Sequence, residues 1–167
     1  MFAKCGFGWA IVTTVLVATS VVAQDRVPEL RARFQSETNP VHKAKLVPRL
    51  ADAEFSEVQN QVAAGNLGDA AAVVEKVRDE AHTAQDALDA NKRDVEKHPD
   101  GYRQLQISVR DSVRRLNDIL TGLAGDDQKP FQEARDDLEK LDRQLMHQLF
   151  PHGPNSAPAP EKSKAQE

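Results

Sequence analysis

Asp79-Glu80-Ala81-His82 is the stretch that most resembles a site of chemistry. In ATP-driven helicases a D-E-A-H element follows a buried strand and holds the metal of a nucleotide cradled by a glycine-rich phosphate loop. This chain contains no G-x-x-x-x-G-K-[ST] sequence, and no run before Asp79 reads as a parallel strand. Ala81 falls in phase with an apolar seam, Asp79 projects about 200° away from it at about 100° per residue, and His82 flanks it. The letters are therefore expected at solvated or rim positions of a long helix, with no ATPase activity.

The same residues have the spacing of half a di-iron motif. Such centres in four-helix bundles take a Glu-x-x-His pair from each of two helices and a carboxylate from each of the other two. Asp79-x-x-His82 is the only acid-x-x-His in the chain, since Asn39, Val95, Gln144 and Leu149 stand three places before His42, His98, His147 and His152. One half-motif does not make a metal centre. His147 and His152 fall near the end of the last expected helix, where the helix dipole favours a cation. No G-x-S-x-G is present, and no serine, histidine and acid are arranged as a readable triad. The sequence therefore points to no catalytic residue, no metal and no cofactor.

Two features bear on binding instead. Asn91 stands between Leu88 and Val95 in an apolar seam, where an amide weakens burial but fixes register or partner orientation. The alternative is a frayed or solvent-facing helix end. Arg103, Arg110, Arg114 and Arg115 crowd one expected helix, while Asp126, Asp127, Glu133, Asp136, Asp137 and Glu139 open the next. Antiparallel packing would bring several of these together, each exposed pair contributing about 0 to 1 kcal/mol. The functional alternative is that Arg110, Arg114 and Arg115 contact an anionic surface such as lipid head groups or a cell-wall polymer.

The elements that would position these residues are all helical, because good helix formers fill the stretches between widely spaced Gly and Pro. A short helix is expected from Pro28 to about Ser36, with Val27, Leu30 and Phe34 on one face. Asn39-Pro40 supplies an N-cap and a first-turn proline. The helix it opens carries Ala44, Val47, Ala51, Phe55, Val58 and Val62 and stops at Gly65, with Pro48 expected to kink it without dividing it. Asp69 is the expected N-cap of the longest helix, whose seam runs Ala70, Val74, Val77, Ala81, Ala84, Leu88, Asn91 and Val95. From Ala70 to Glu96 it would span about 40 Å.

His98-Pro99-Asp100-Gly101 then turns the chain into a helix with Tyr102, Leu105, Val109, Val113, Leu116, Leu120 and Leu123 along its seam and Ile119 widening it. A last helix begins at Asp126-Asp127 and carries Phe131, Ala134, Leu138, Leu141, Leu145 and Leu149. The fold class read from this pattern is all-α, an antiparallel bundle of about four helices over residues 27–150. The alternative is two stacked helical hairpins of the tetratricopeptide type, which the G-N-x-G-D turn suggests although no period of 34 residues is present.

The ends of the chain differ from this middle. Residues 1–23 have the form of a secretory signal: Lys4 in a short leading region, an apolar stretch from Gly6 to Val17, and Val21-Val22-Ala23 fitting cleavage after Ala23. The competing reading is an uncleaved anchor, since Cys5 to Ala23 approaches the roughly 20 residues that span a bilayer. Only in that case is a membrane partner implied by this segment. Cys5 is the single cysteine and would leave with the signal, so the mature chain would have no disulfide and no thiolate chemistry. Loss of Lys4 gives the mature chain a net charge of −5, which argues against nucleic-acid binding, as do its five dispersed aromatic rings. Residues 151–167, PHGPNSAPAPEKSKAQE, have the composition of a disordered tail.

The stretch E-T-N-P-V-H-K-A-K-L-V-P-R-L-A-D-A-E-F from Glu37 to Phe55, followed by G-N-L-G-D from Gly65 to Asp69, resembles small secreted bacterial helical proteins of uncharacterised function, and more weakly so does the region from Pro99 to Phe150. The resemblance implies an exported helical domain and carries over no catalytic residue. Together these readings give an exported, non-enzymatic helical protein of the bacterial envelope, periplasmic or extracellular, acting through a protein partner, a homodimer contact or a structural role. The alternatives are an envelope ligand-binding or hydrolytic protein, or one associated peripherally with membrane or cell wall.

Overall fold

The computed structural model describes residues 26–91 and 95–151. The signal segment 1–23 and, apart from Pro151, the tail 151–167 lie outside the described residues. Five α-helices follow one another: α1 (Arg26–Ser36), α2 (Pro40–Ala63), α3 (Leu67–Ala90), α4 (Asp100–Gly122) and α5 (Lys129–Leu149), with a short 3-10 turn (Gly125–Gln128) before the last. No strand occurs among the described residues, and the fold is an all-α bundle.

Local chemistry sets most of these boundaries. Asn39 Oδ1 accepts from the amides of Val41 at 3.0 Å and His42 at 3.2 Å, so the expected N-cap and first-turn proline open α2 as read. Gly65, at φ +78°, closes it: its amide donates to Val62 O while the Asn66 amide donates to Gln61 O, the paired bonds of a Schellman turn. Because that turn is complete at Asn66, α3 starts immediately at Leu67. Asp69 lies in its first turn and is not its cap. Pro48 is accommodated inside a single continuous α2.

The far end of α3 departs from the expected seam. The helix stops at Ala90, so it has 24 residues, the same as α2, and Asn91 and Val95, expected to continue it, both lie in turns. Gly101, expected in the turn, belongs to the first turn of α4 and is buried there. A Cβ on it would stand 2.6 Å from Leu88 Cδ2 and 3.5 Å from Val41 Cα, so the bare glycine is what lets α4 start tight against the ends of α3 and α2. The last helix begins at Lys129, with Asp126 and Asp127 in the preceding 3-10 turn. Gln128 bridges the two helices there, its Nε2 donating to the Leu123 carbonyl at 2.7 Å.

Helices α2 and α3 form one antiparallel hairpin and α4 and α5 another, and the hairpins lie side by side with α2 against α4. The start of α4 meets the start of α2 at Gly101 and Val41, and Arg115 reaches Asp52 farther along, so α2 and α4 run parallel. His82 meets Asp137 and Gln148 meets Asp89, so α3 and α5 also run parallel. Antiparallel neighbours are thus found within each hairpin, while the α2–α4 and α3–α5 contacts between hairpins are parallel. Successive helices α3 and α4 touch only lightly. The pairing order is that of stacked hairpins, closed over one core by the α3–α5 contact.

That core holds the apolar residues expected from the seams, including Phe55, Val58, Val74, Ala84, Leu105, Leu116, Phe131, Leu138, Leu141 and Leu145, all nearly or fully buried. Helix α1 lies on α2 and adds Val27 and Phe34 to the buried set.

Candidate functional site

Glu54 is the residue that periodicity missed. Together with Leu50 it continues the buried face of α2 beyond the expected stripe, because α1, α3 and α4 all pack on that helix. The Glu54 side chain is 0% exposed, and its Oε1 accepts from Arg31 Nη2 of α1. The same guanidinium donates through Nε to Glu80 Oε1 of α3 at 3.1 Å, and the Glu80 side chain is only 13% exposed. One arginine thus ties two acids from two other helices. Glu54 Oε2 is buried and has no donor facing it.

Electrostatics follow from that geometry. Burial, reinforced by the negative charge of Glu80 and opposed by Arg31, pushes the Glu54 carboxyl up to about 8. Burial also raises Glu80, against the pull of Glu54, Arg31 and Lys76. Partial burial lowers the Arg31 pKa, but its bonds and attraction to the two carboxyls outweigh this and hold it above the ordinary value. Beside the cluster is a surface depression of about 450 Å³, where Arg31 and Glu80 meet Phe34, Lys43, Lys76 and Asp79. Lys43 Nζ lies 5.3 Å from the centre of the Phe34 ring.

The D-E-A-H letters are divided among separate tasks. Asp79 is exposed and accepts from its neighbour Arg78. Glu80 turns inward to Arg31, so for this residue the expectation of a solvated or rim position gives way to a load shared with α1. Ala81 lies in the core, and His82 Nε2 is 2.7 Å from Asp137 Oδ2 of α5. Among the described residues, no group of three or more His, Cys, Asp or Glu side chains is placed to hold a metal ion.

Asn91 occupies the C-cap of α3, half-buried, with its amide donating to the Leu88 carbonyl at 3.2 Å. It lies at the end of the seam and not within it. Near it, the Tyr102 hydroxyl donates to Asp89 Oδ1 at 2.9 Å, and Gln148 Nε2 donates to the same oxygen at 3.3 Å. Burial first, and then the hydrogen bond and charge of Asp89, push the Tyr102 phenol up to about 12.

The arginines of α4 also separate. Arg115 faces inward, bonded to Asp111 and to Asp52 of α2, with its guanidinium carbon 5.5 Å from the centre of the Phe55 ring. Arg114 pairs with Asp111 at 2.6 Å. Arg110 is 3.4 Å from Asp142 of α5, an acid outside the group expected to receive it. Arg103, Ile107, Arg110 and Arg114, spaced by four, three and four, are all exposed along the outer face of α4, Ile107 to 53%. Behind Ile107 is a groove of about 230 Å³ between α2 and α4, floored by Pro48, Ala51, Ser108 and Ser112.

No described helix is long and apolar enough to cross a membrane. Comparison with known proteins finds no family model, no curated protein and no solved structure that matches the chain.

Proposed function

We propose that this chain is an exported helical protein of the bacterial cell envelope, periplasmic or extracellular, that works by contact with a partner protein and not by catalysis. The observation that carries this reading is the outer face of α4, where an exposed isoleucine is set among Arg103, Arg110 and Arg114 beside a groove of mixed polar and apolar lining. Large apolar side chains exposed next to a cleft, with arginine around them, have the make-up of protein interfaces. A two-fold contact through this face would lay one arginine row against another, so a homodimer is disfavoured there. The partner that fits is a different protein presenting acidic side chains around an apolar one.

Capture of the exported protein from envelope fractions tests this. A partner retained by the native chain should be lost with Ile107→Asp combined with Arg110→Glu, and kept by a control change at exposed Gln59 on α2. Retention by both variants would refute an α4 interface. Binding of the native chain to anionic lipid vesicles, released by salt, would favour peripheral membrane attachment over a protein partner. A retained Met1 in the recovered protein would show an uncleaved anchor.

A further inference from the structure

The cluster where α1, α2 and α3 meet has one guanidinium for two carboxyl groups. With both acids ionised, the cluster would hold a net negative charge in a place where Glu54 has no contact with water, and Glu54 Oε2 would face no donor. An uncompensated charge and an unsatisfied acceptor are both strongly unfavourable in a packed interior. A single proton resolves both. Placed on Glu54 Oε2, it turns the orphan acceptor into a donor and leaves one carboxylate to balance one guanidinium. Glu80, held by the same guanidinium, is the acid beside it.

We propose that Glu54 and Glu80 form a proton-binding site shared by three helices, and that the proton held there, together with Arg31, is what lets the two acids of α2 and α3 lie side by side. The charged groups around the site come from every helix that forms it. Arg31 belongs to α1, Lys43 of α2 lines the mouth, and Lys76 and Asp79 of α3 stand beside Glu80. On the α4 side of α2, the charges Asp111 and Arg115 are engaged with Asp52 and with each other. Only Arg31 makes ion pairs with both acids among the described residues. Loss of the proton therefore sets the carboxylates of α2 and α3 against each other, with one guanidinium between them.

The direction with pH follows from the raised carboxyl. Between 4.5, its ordinary value, and about 8, the folded chain holds a proton that the unfolded chain has released. Stability declines as pH rises through that window and is level above it. Glu54→Gln imitates the protonated acid, with a carbonyl for Arg31 and an amide donor for Glu80. The native protein should lose thermal stability from about pH 5 to about pH 8.5, and the variant should lose much less and be the more stable of the two at the alkaline end. Should Glu54→Gln fail to fold by circular dichroism, Glu80→Gln serves instead, since it leaves one acid for one arginine and should also flatten the profile. Parallel pH profiles for native and variant would overturn the proposal.

Discussion

Two polar joints hold helices together in this bundle, one at mid-height and one at an end. At mid-height, partly exposed Arg31 joins Glu80 and the fully buried Glu54. At the end, Asp89 receives Tyr102 and Gln148 from α4 and α5, and Asp89 itself remains exposed. The end joint sets one exposed carboxyl group against two neutral donors. Its phenol, pushed up to about 12, keeps its hydrogen across the ordinary pH range. The mid-height joint has too many acids for its single cation and no water to share the excess. Similar bonds thus give one pH-independent joint and one that depends on a proton.

The largest expected effect on this contrast comes from Arg31→Ala, which removes the only cation paired with a buried acid among the described residues. It should destabilise the protein by about 3 to 5 kcal/mol in denaturant titrations above about pH 8.5, where Glu54 is ionised, and by less at neutral pH and below, where Glu54 holds its proton. Tyr102→Phe should cost about 1 to 2 kcal/mol, equally at both ends of the range. A pH-dependent Tyr102→Phe effect would erase the distinction between the joints. Arg110→Ala, at a half-exposed surface pair, should stay within about 0.5 kcal/mol by the same titration while weakening capture of a partner.

The regular parts of this architecture were legible from spacing. Tyr102, Leu105, Val109, Leu116 and Leu120 of α4, and Phe131, Ala134, Leu138, Leu141 and Leu145 of α5, all lie in the core as their periods require. Helix ends were harder where the deciding contact came from elsewhere. The α3 seam continues in letters through Val95, but the helix ends where Gly101 of α4 admits Leu88. The ion cluster left only a trace: an acid at position 54 in phase with Val47, Leu50 and Val58. Nothing local joins it to Arg31 or Glu80, because those partners meet only through the packing of three helices. Arg110, Arg114 and Arg115 looked alike as a group, and only the fold separates the inward Arg115 from the outward pair.

Arg31 also has a consequence in time. Its partners lie 23 and 49 residues farther along the chain. During synthesis, which proceeds from the N-terminus, the guanidinium emerges well before either acid exists. The hairpin of α2 and α3 is built from nearer contacts and closes on its own account. The first helix made is then among the last to find its place, and a growing chain too short to include Glu80 has no complete seat for it.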